Sequence, residues 1–203
     1  MALEIIGSPR SNFVRTVRMV ALEKGLTYEH VPEAPHSDMV KALHPLGLIP
    51  AMRHDGLELF ESAAIVRYID MVFEGPKLIP EDPKVAAVVN QWCSFVQTSV
   101  DRLFLRRYVV EYMFHKDTAG NVVRDEIDRA VKRFPKMFGV LDNAVKPGFL
   151  GRSVFSAADC FMMPILAAVQ RFPEGVEAMQ AASNLTAYFE KVSARPSFAE
   201  TAV

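Results

Sequence analysis

Apolar residues recur along this chain with two different periods, and the change from one to the other divides it. In the first third, Leu3-Glu4-Ile5-Ile6 reads as a short strand, and Phe13, Val17, Val20 and Ala21 then share one face of a helix. Gly25 supplies a helix stop, Thr27 to Val31 a second strand, and Met39 to Leu43 a short helix that must end before Pro45. Ala51 to His54 and Leu57 to Phe60 flank Asp55-Gly56, a dipeptide suited to the two-residue turn of a hairpin. A further helix opens at Ser62 and turns Ile65, Val66, Ile69 and Val72 toward a core.

The predicted order, β-α-β-α-β-β-α, joins a parallel crossover to a terminal hairpin, so helices are expected on both faces of a small mixed sheet. This is a thioredoxin-like order. From Glu74 to Lys84, three prolines and a glycine disfavour regular helix and suit an interdomain connection. Beyond it the strand signals fade, while Val85 to Phe114, Val122 to Val145, Ala157 to Phe172 and Leu185 to Val192 carry helical spacing. The expected fold is therefore an α/β thioredoxin-like N-terminal domain at 1–75, a linker at 76–84 and an all-α helical domain at 85–203.

Composition narrows the function without choosing it. Of 203 residues, 50% are hydrophobic and 23% charged, the usage of an ordinary globular protein. A formal net charge of -1 gives no basic field, so nucleic acid is not an expected partner. Cys93 and Cys160 sit among apolar residues without the paired spacing of a metal or redox motif, and both read as core thiols. No metal site is expected. The N-terminal MALEIIGSPR lacks a basic head followed by an apolar stretch, and no membrane-length apolar run occurs, so the expected location is cytoplasmic and away from membranes.

Three segments carry chemistry. Gly7 to Asn12 follows the first strand and brings hydroxyls and an amide to a helix N-terminus, where free N–H groups stabilise an anion. Ser11 there is either a helix cap or a donor to such an anion. Pro50 stands at the mouth of a strand, and a cis Ile49-Pro50 bond would leave the Ile49 backbone to pair with an extended peptide; X-Pro bonds are more often trans. Glu61-Ser62 closes the hairpin and opens a helix, so Ser62 suits a carboxylate and Glu61 an ammonium, together an amino-acid head group; the alternative is a simple cap beside an exposed acid. Separately, Ser156 and Asp159 form an S-x-x-D capping box ahead of an apolar run.

These segments come in the order and spacing of cytosolic glutathione S-transferases. GSPRSNFVRTVRMVALEKGLTYE, HPLGLIPAM and LELFESAAIVRYI resemble the N-terminal signatures of that family, and Phe149-Leu150-Gly151, Phe155 to Asp159 and Ala194 to Ser197 are similar to its C-terminal domain. The resemblance covers nearly the whole chain and is to serine-type, phi/theta-like members. It implies glutathione as co-substrate, with Ser11 donating to the sulfur, Ile49 pairing with the cysteinyl unit beside a cis Pro50, and Glu61 and Ser62 holding the γ-glutamyl group. His36 falls near the position that takes the glycine carboxylate, where a lysine is commoner in the family. Asn12 stands where many relatives have proline or threonine, and its amide is a second candidate donor to sulfur.

The resemblance also implies a small hydrophobic electrophile as second substrate and a homodimer. Candidates for the electrophile side are Phe104, Arg107, Tyr108 and Tyr112 on the first long helix of the second domain, although aromatic helix residues are usually core. Asp101 on the same helix is read as a solvated position, the alternative implied by the resemblance being reach to the glutathione of the partner subunit, as an acidic residue has in some classes. The lack of cysteine between Gly7 and Asn12 argues against disulfide-exchange chemistry. The alternative to an enzyme is a non-catalytic relative that binds ligands or proteins on the same fold.

Overall fold

The computed structural model describes residues 3–202. They form two compact units. One runs to Ala86 and includes the C-terminal residues from Ser193; the other is Ala87–Val192. The expected helical domain at 85–203 kept those last residues with the second unit.

In the first unit the elements are β1 (Leu3–Ile6), α1 (Asn12–Glu23), β2 (Tyr28–Val31), α2 (Asp38–Leu43), β3 (Ala51–His54), β4 (Leu57–Phe60) and α3 (Ser62–Val72). The sheet order is β2-β1-β3-β4, with β1 parallel to β2 and antiparallel to β3, and β3 antiparallel to β4. This is the mixed thioredoxin-like sheet the sequence predicts. Asp55 and Gly56 both take positive φ, as the hairpin turn requires. Strand alternation divides the core. Ile6 and Ala51 pack with Val40 and Leu43 of α2, while Ile5 and Met52, one residue along, point to the opposite face and are fully buried. There α1 and α3 pack together, burying Val14, Val17 and Val20 from one helix and Ile65, Val66 and Ile69 from the other.

Two ionic contacts tie irregular chain to this unit. Lys24 Nζ lies 3.5 Å from Asp70 Oδ1 with both side chains buried, and the same carboxylate accepts the N–H groups of Leu78 and Ile79 at 2.8 and 3.1 Å. The proline-rich segment is thereby fastened to α3. At the other end, α11 (Pro196–Glu200) packs on α1: Arg15 reaches Thr201 Oγ1 and the Phe198 carbonyl, and Glu23 accepts from Arg195 and Ser197.

The second unit is all helical among the described residues. A continuous helix from Pro83 to Phe114 comprises α4 (Pro83–Phe95), a π-wound middle (Val96–Val109) and α5 (Val110–Phe114). The predicted helix over 122–145 divides into α6 (Asp125–Val131) and α7 (Phe134–Ala144), with Pro135 in the first turn of α7, where its missing N–H costs no bond. Next come α8 (Ala157–Val169), α9 (Pro173–Gln180) and α10 (Ser183–Ser193). The capping box at Ser156 and Asp159 is present, and buried Asp159 also accepts from Leu150 N–H and Tyr188 Oη, each at 2.9 Å.

Candidate functional site

The register of the sheet brings the site together. Val31, Ile6, Ala51 and Phe60 lie side by side in one row across the four strands. The chain segments that leave or enter this row are those singled out in the sequence: Gly7 to Ser11 after β1, Ile49-Pro50 before β3, Glu61-Ser62 after β4, and the loop carrying His36 after β2.

At the β1–α1 turn, Gly7 has φ of 144°, and a Cβ there would stand 2.5 Å from Val14 Cγ2 and 2.9 Å from Ile49 Cβ. Only glycine lets the turn approach both α1 and the segment before Pro50. His30 on β2 fixes the orientation of this turn, its Nε2 donating to the Gly7 carbonyl at 2.9 Å. Ser11 N–H then donates to the Ser8 carbonyl at 3.0 Å, and Ser11 Oγ accepts Val14 N–H at 3.4 Å, which makes Ser11 the cap of α1. A hydroxyl that accepts one such bond still holds its own proton to donate. Asn12 is the first helical residue, and its carbonyl accepts from Thr16 Oγ1.

The Ile49-Pro50 peptide is cis, the conformation the resemblance implies; Pro50 is buried and Ile49 half-buried. His36 is exposed with φ of 63°, and its N–H donates to Gly47 O at 2.7 Å. Gly47 lies so close beneath the His36 ring that a Cβ would be 2.7 Å from Nδ1.

Glu61 is the most unusual residue of the row. Its φ of 68° and ψ of 114° are rare for a residue with a side chain and cost about 1–3 kcal/mol. Such a conformation persists where surrounding structure enforces it, and it turns an exposed carboxylate outward beside buried Ser62, the first residue of α3. His44 adjoins it. Its ring is buried, packs against Phe60 with centroids 4.8 Å apart, and brings Nε2 to 3.8 Å from Glu61 Oε1. Neither His30 nor His44 stands out in the sequence, since a lone histidine near a strand carries no pattern. Only the paired register reveals what each one faces.

The second-unit candidates fall in a different setting. Phe104 and Tyr108 are fully buried, Phe104 against Phe134 and Phe138, and Tyr108 against Phe134 and Phe172. Tyr112 is half-buried and stacks on Phe172, while Arg107 is half-buried. Tyr108 and Tyr112 both donate to Glu174, which also pairs with Arg124. Burial raises the Glu174 carboxyl, but these bonds outweigh it and bring it down to about 2; burial and the adjoining carboxylate push both tyrosines up. Asp101 is buried rather than solvated. Arg106 donates to its Oδ2 at 3.0 Å, Oδ1 has no hydrogen-bond partner among the described residues, and burial raises the carboxyl. No cluster of three or more metal-ligating side chains occurs among the described residues, and no described helix is long and apolar enough to cross a membrane.

Comparison with known proteins adds an independent line. Residues 5–77 match the family model described as glutathione S-transferase, N-terminal domain, and residues 105–196 match glutathione S-transferase, C-terminal domain. A probable glutathione S-transferase of Nicotiana tabacum is 29% identical over 161 residues, covering 77% of this chain and 66% of that relative's length. Glutathione S-transferase Z2 of Arabidopsis thaliana is 27% identical over 198 residues, 93% of this chain and 85% of that one. The crystal structure of glutathione transferase F7 from Populus trichocarpa superposes with a TM-score of 0.88 at 26% identity, covering 98% of this chain and 97% of the poplar chain.

Proposed function

Because the chain belongs to the glutathione S-transferase family, we propose that it binds glutathione as co-substrate and activates its thiol to attack small hydrophobic electrophiles. The observation that carries this reading is the single row of the sheet from which the Ser11 turn, Ile49-Pro50 and Glu61-Ser62 all emerge.

In this mechanism the glutathione backbone pairs with the main chain at Ile49, the γ-glutamyl carboxylate lies at Ser62 and the N-terminus of α3, and its ammonium meets Glu61. His36 serves the glycine carboxylate through its ring N–H, with fewer donors than a lysine offers. The sulfur lies over the N-terminus of α1, where Ser11 caps the helix with its oxygen and donates its proton to the thiolate, with Asn12 beside it. A thiol of pKa about 8.5 needs a fall of about two units, about 2.7 kcal/mol, for thiolate to dominate at pH 7. One hydrogen bond to a charged sulfur, about 1.5–3 kcal/mol, together with the helix terminus is sufficient. No metal takes part in this scheme.

On the electrophile side Arg107 and Tyr112 are the accessible candidates, with Phe104 and Tyr108 as packed support behind them. The setting proposed is a cytoplasmic homodimer acting in detoxification. Exposed Met71 and Val72 at the end of α3 support a partner surface there, and light scattering that finds only monomer would remove it. The function itself is tested by retention on immobilised glutathione followed by turnover with an aryl halide. Retention and turnover support the transferase; retention without turnover toward any electrophile would identify a non-catalytic carrier.

A further inference from the structure

His44 directs all its polar groups but one into the protein's own backbone. As the residue that ends α2, its N–H donates to Val40 O at 2.8 Å and its carbonyl accepts Gly47 N–H at 2.8 Å. Its Nδ1 accepts Leu46 N–H at 3.0 Å. A ring nitrogen that accepts a backbone N–H carries no proton, so in the neutral ring the proton is on Nε2. That nitrogen lies 3.8 Å from Glu61 Oε1, and no lysine or arginine pairs with Glu61 among the described residues. Contact with the Phe60 ring limits rotation of the imidazole, and the positive φ of Glu61 fixes where its side chain starts.

From this geometry we infer that His44 is a positioning residue for amine recognition: its Nε2–H orients the Glu61 carboxylate to receive the α-amino group of a γ-glutamyl ligand. This inference rests on the reading of Glu61 given above. The chemistry favours a neutral ring over a lysine or arginine at this place. A full cation beside Glu61 would compete with the incoming ammonium, whereas a neutral donor biases the position of the carboxylate and leaves its charge for the ligand. The separation exceeds hydrogen-bond length, and the Glu61 side chain is 67% exposed. The contribution is accordingly the small one expected of an exposed electrostatic contact.

The test is calorimetric titration of the full chain with glutathione and with its analogue lacking the α-amino group. His44→Asn keeps an acceptor for Leu46 N–H and removes the group facing Glu61. The preference of the wild type for glutathione over the analogue should fall about three- to five-fold in His44→Asn, with affinity for the analogue unchanged. Equal weakening of both ligands, or an unchanged preference, would overturn the inference. A wild-type protein that binds neither ligand defeats the reading of the site itself, which is a separate outcome. A second measurement needs no variant: the His44 ring 15N resonances in the wild type should move on adding glutathione and stay in place on adding the analogue. Identical responses to the two ligands contradict the role.

Discussion

Ser11 Oγ accepts Val14 N–H at 3.4 Å, so the residue proposed to donate to sulfur also begins the helix over whose N-terminus that sulfur is proposed to lie. The two readings of Ser11 open in the sequence are compatible, because a hydroxyl accepts with its oxygen and donates with its proton. Ser11→Ala removes both. Turnover should fall about 10- to 100-fold through loss of the bond to thiolate, and stability by about 1 kcal/mol through loss of the cap. Steady-state kinetics with denaturant unfolding separates the effects. Asn12→Ala should lose less activity, and a reversed order would reassign the donor.

Gly7→Ala should damage fold and site together. The added methyl meets Val14 and Ile49 at distances no Cβ tolerates, at a φ of 144°. A cost of about 1–3 kcal/mol is expected, with weaker glutathione binding because Ile49 is proposed to pair with the ligand and Val14 N–H holds the Ser11 hydroxyl. An unchanged unfolding midpoint in urea would show that the turn relaxes freely.

Replacing Lys24 with methionine leaves the buried Asp70 carboxylate without its cation and should cost about 3–5 kcal/mol, read from chemical denaturation. Asp70 also fastens Leu78 and Ile79 to α3, so limited proteolysis of Lys24→Met should cut first within residues 76–84. A cleavage pattern like that of the wild type would show that those two backbone bonds alone hold the segment.

The first unit was legible because each of its elements advertises itself locally. Short apolar runs mark β1, β3 and β4, Asp55-Gly56 fixes the hairpin, and Ser62 marks the start of α3. The site was legible as segments, since hydroxyls and an acid at strand and helix ends are a sequence pattern. The contacts that complete it were not. His30 meets Gly7 and His44 meets Glu61 only through strand pairing, and Lys24 finds Asp70 across 46 residues. In the second unit, the break at Lys132 and Arg133 is marked in the sequence by Pro135 alone, which suits the first turn of a new helix inside the run 122–145. Helices α9 and α11 are too short to show a period, and the burial of Phe104 and Tyr108 depends on aromatic partners from α7 and the residue before α9.

Glu174 gives a pH dependence with a definite sign. Its folded carboxyl lies at about 2 against an ordinary value of 4.5, so its ionised form stabilises the fold above the unfolded value. That contribution is lost as pH falls from 4.5 toward about 2. Thermal melts across this window should decline more steeply for the wild type than for Glu174→Gln, and the variant should be the less stable protein at pH 7. Parallel curves would show that Arg124, Tyr108 and Tyr112 do not stabilise the carboxylate.

The most direct measurement is titration of the purified protein with glutathione while following the ultraviolet absorbance of bound thiolate across pH. The proposed mechanism requires a bound thiol pKa about two units below the free value of about 8.5 in the wild type, returning toward that value in Ser11→Ala. Saturable binding with an unshifted thiol pKa would contradict it, leaving a glutathione carrier in place of a transferase.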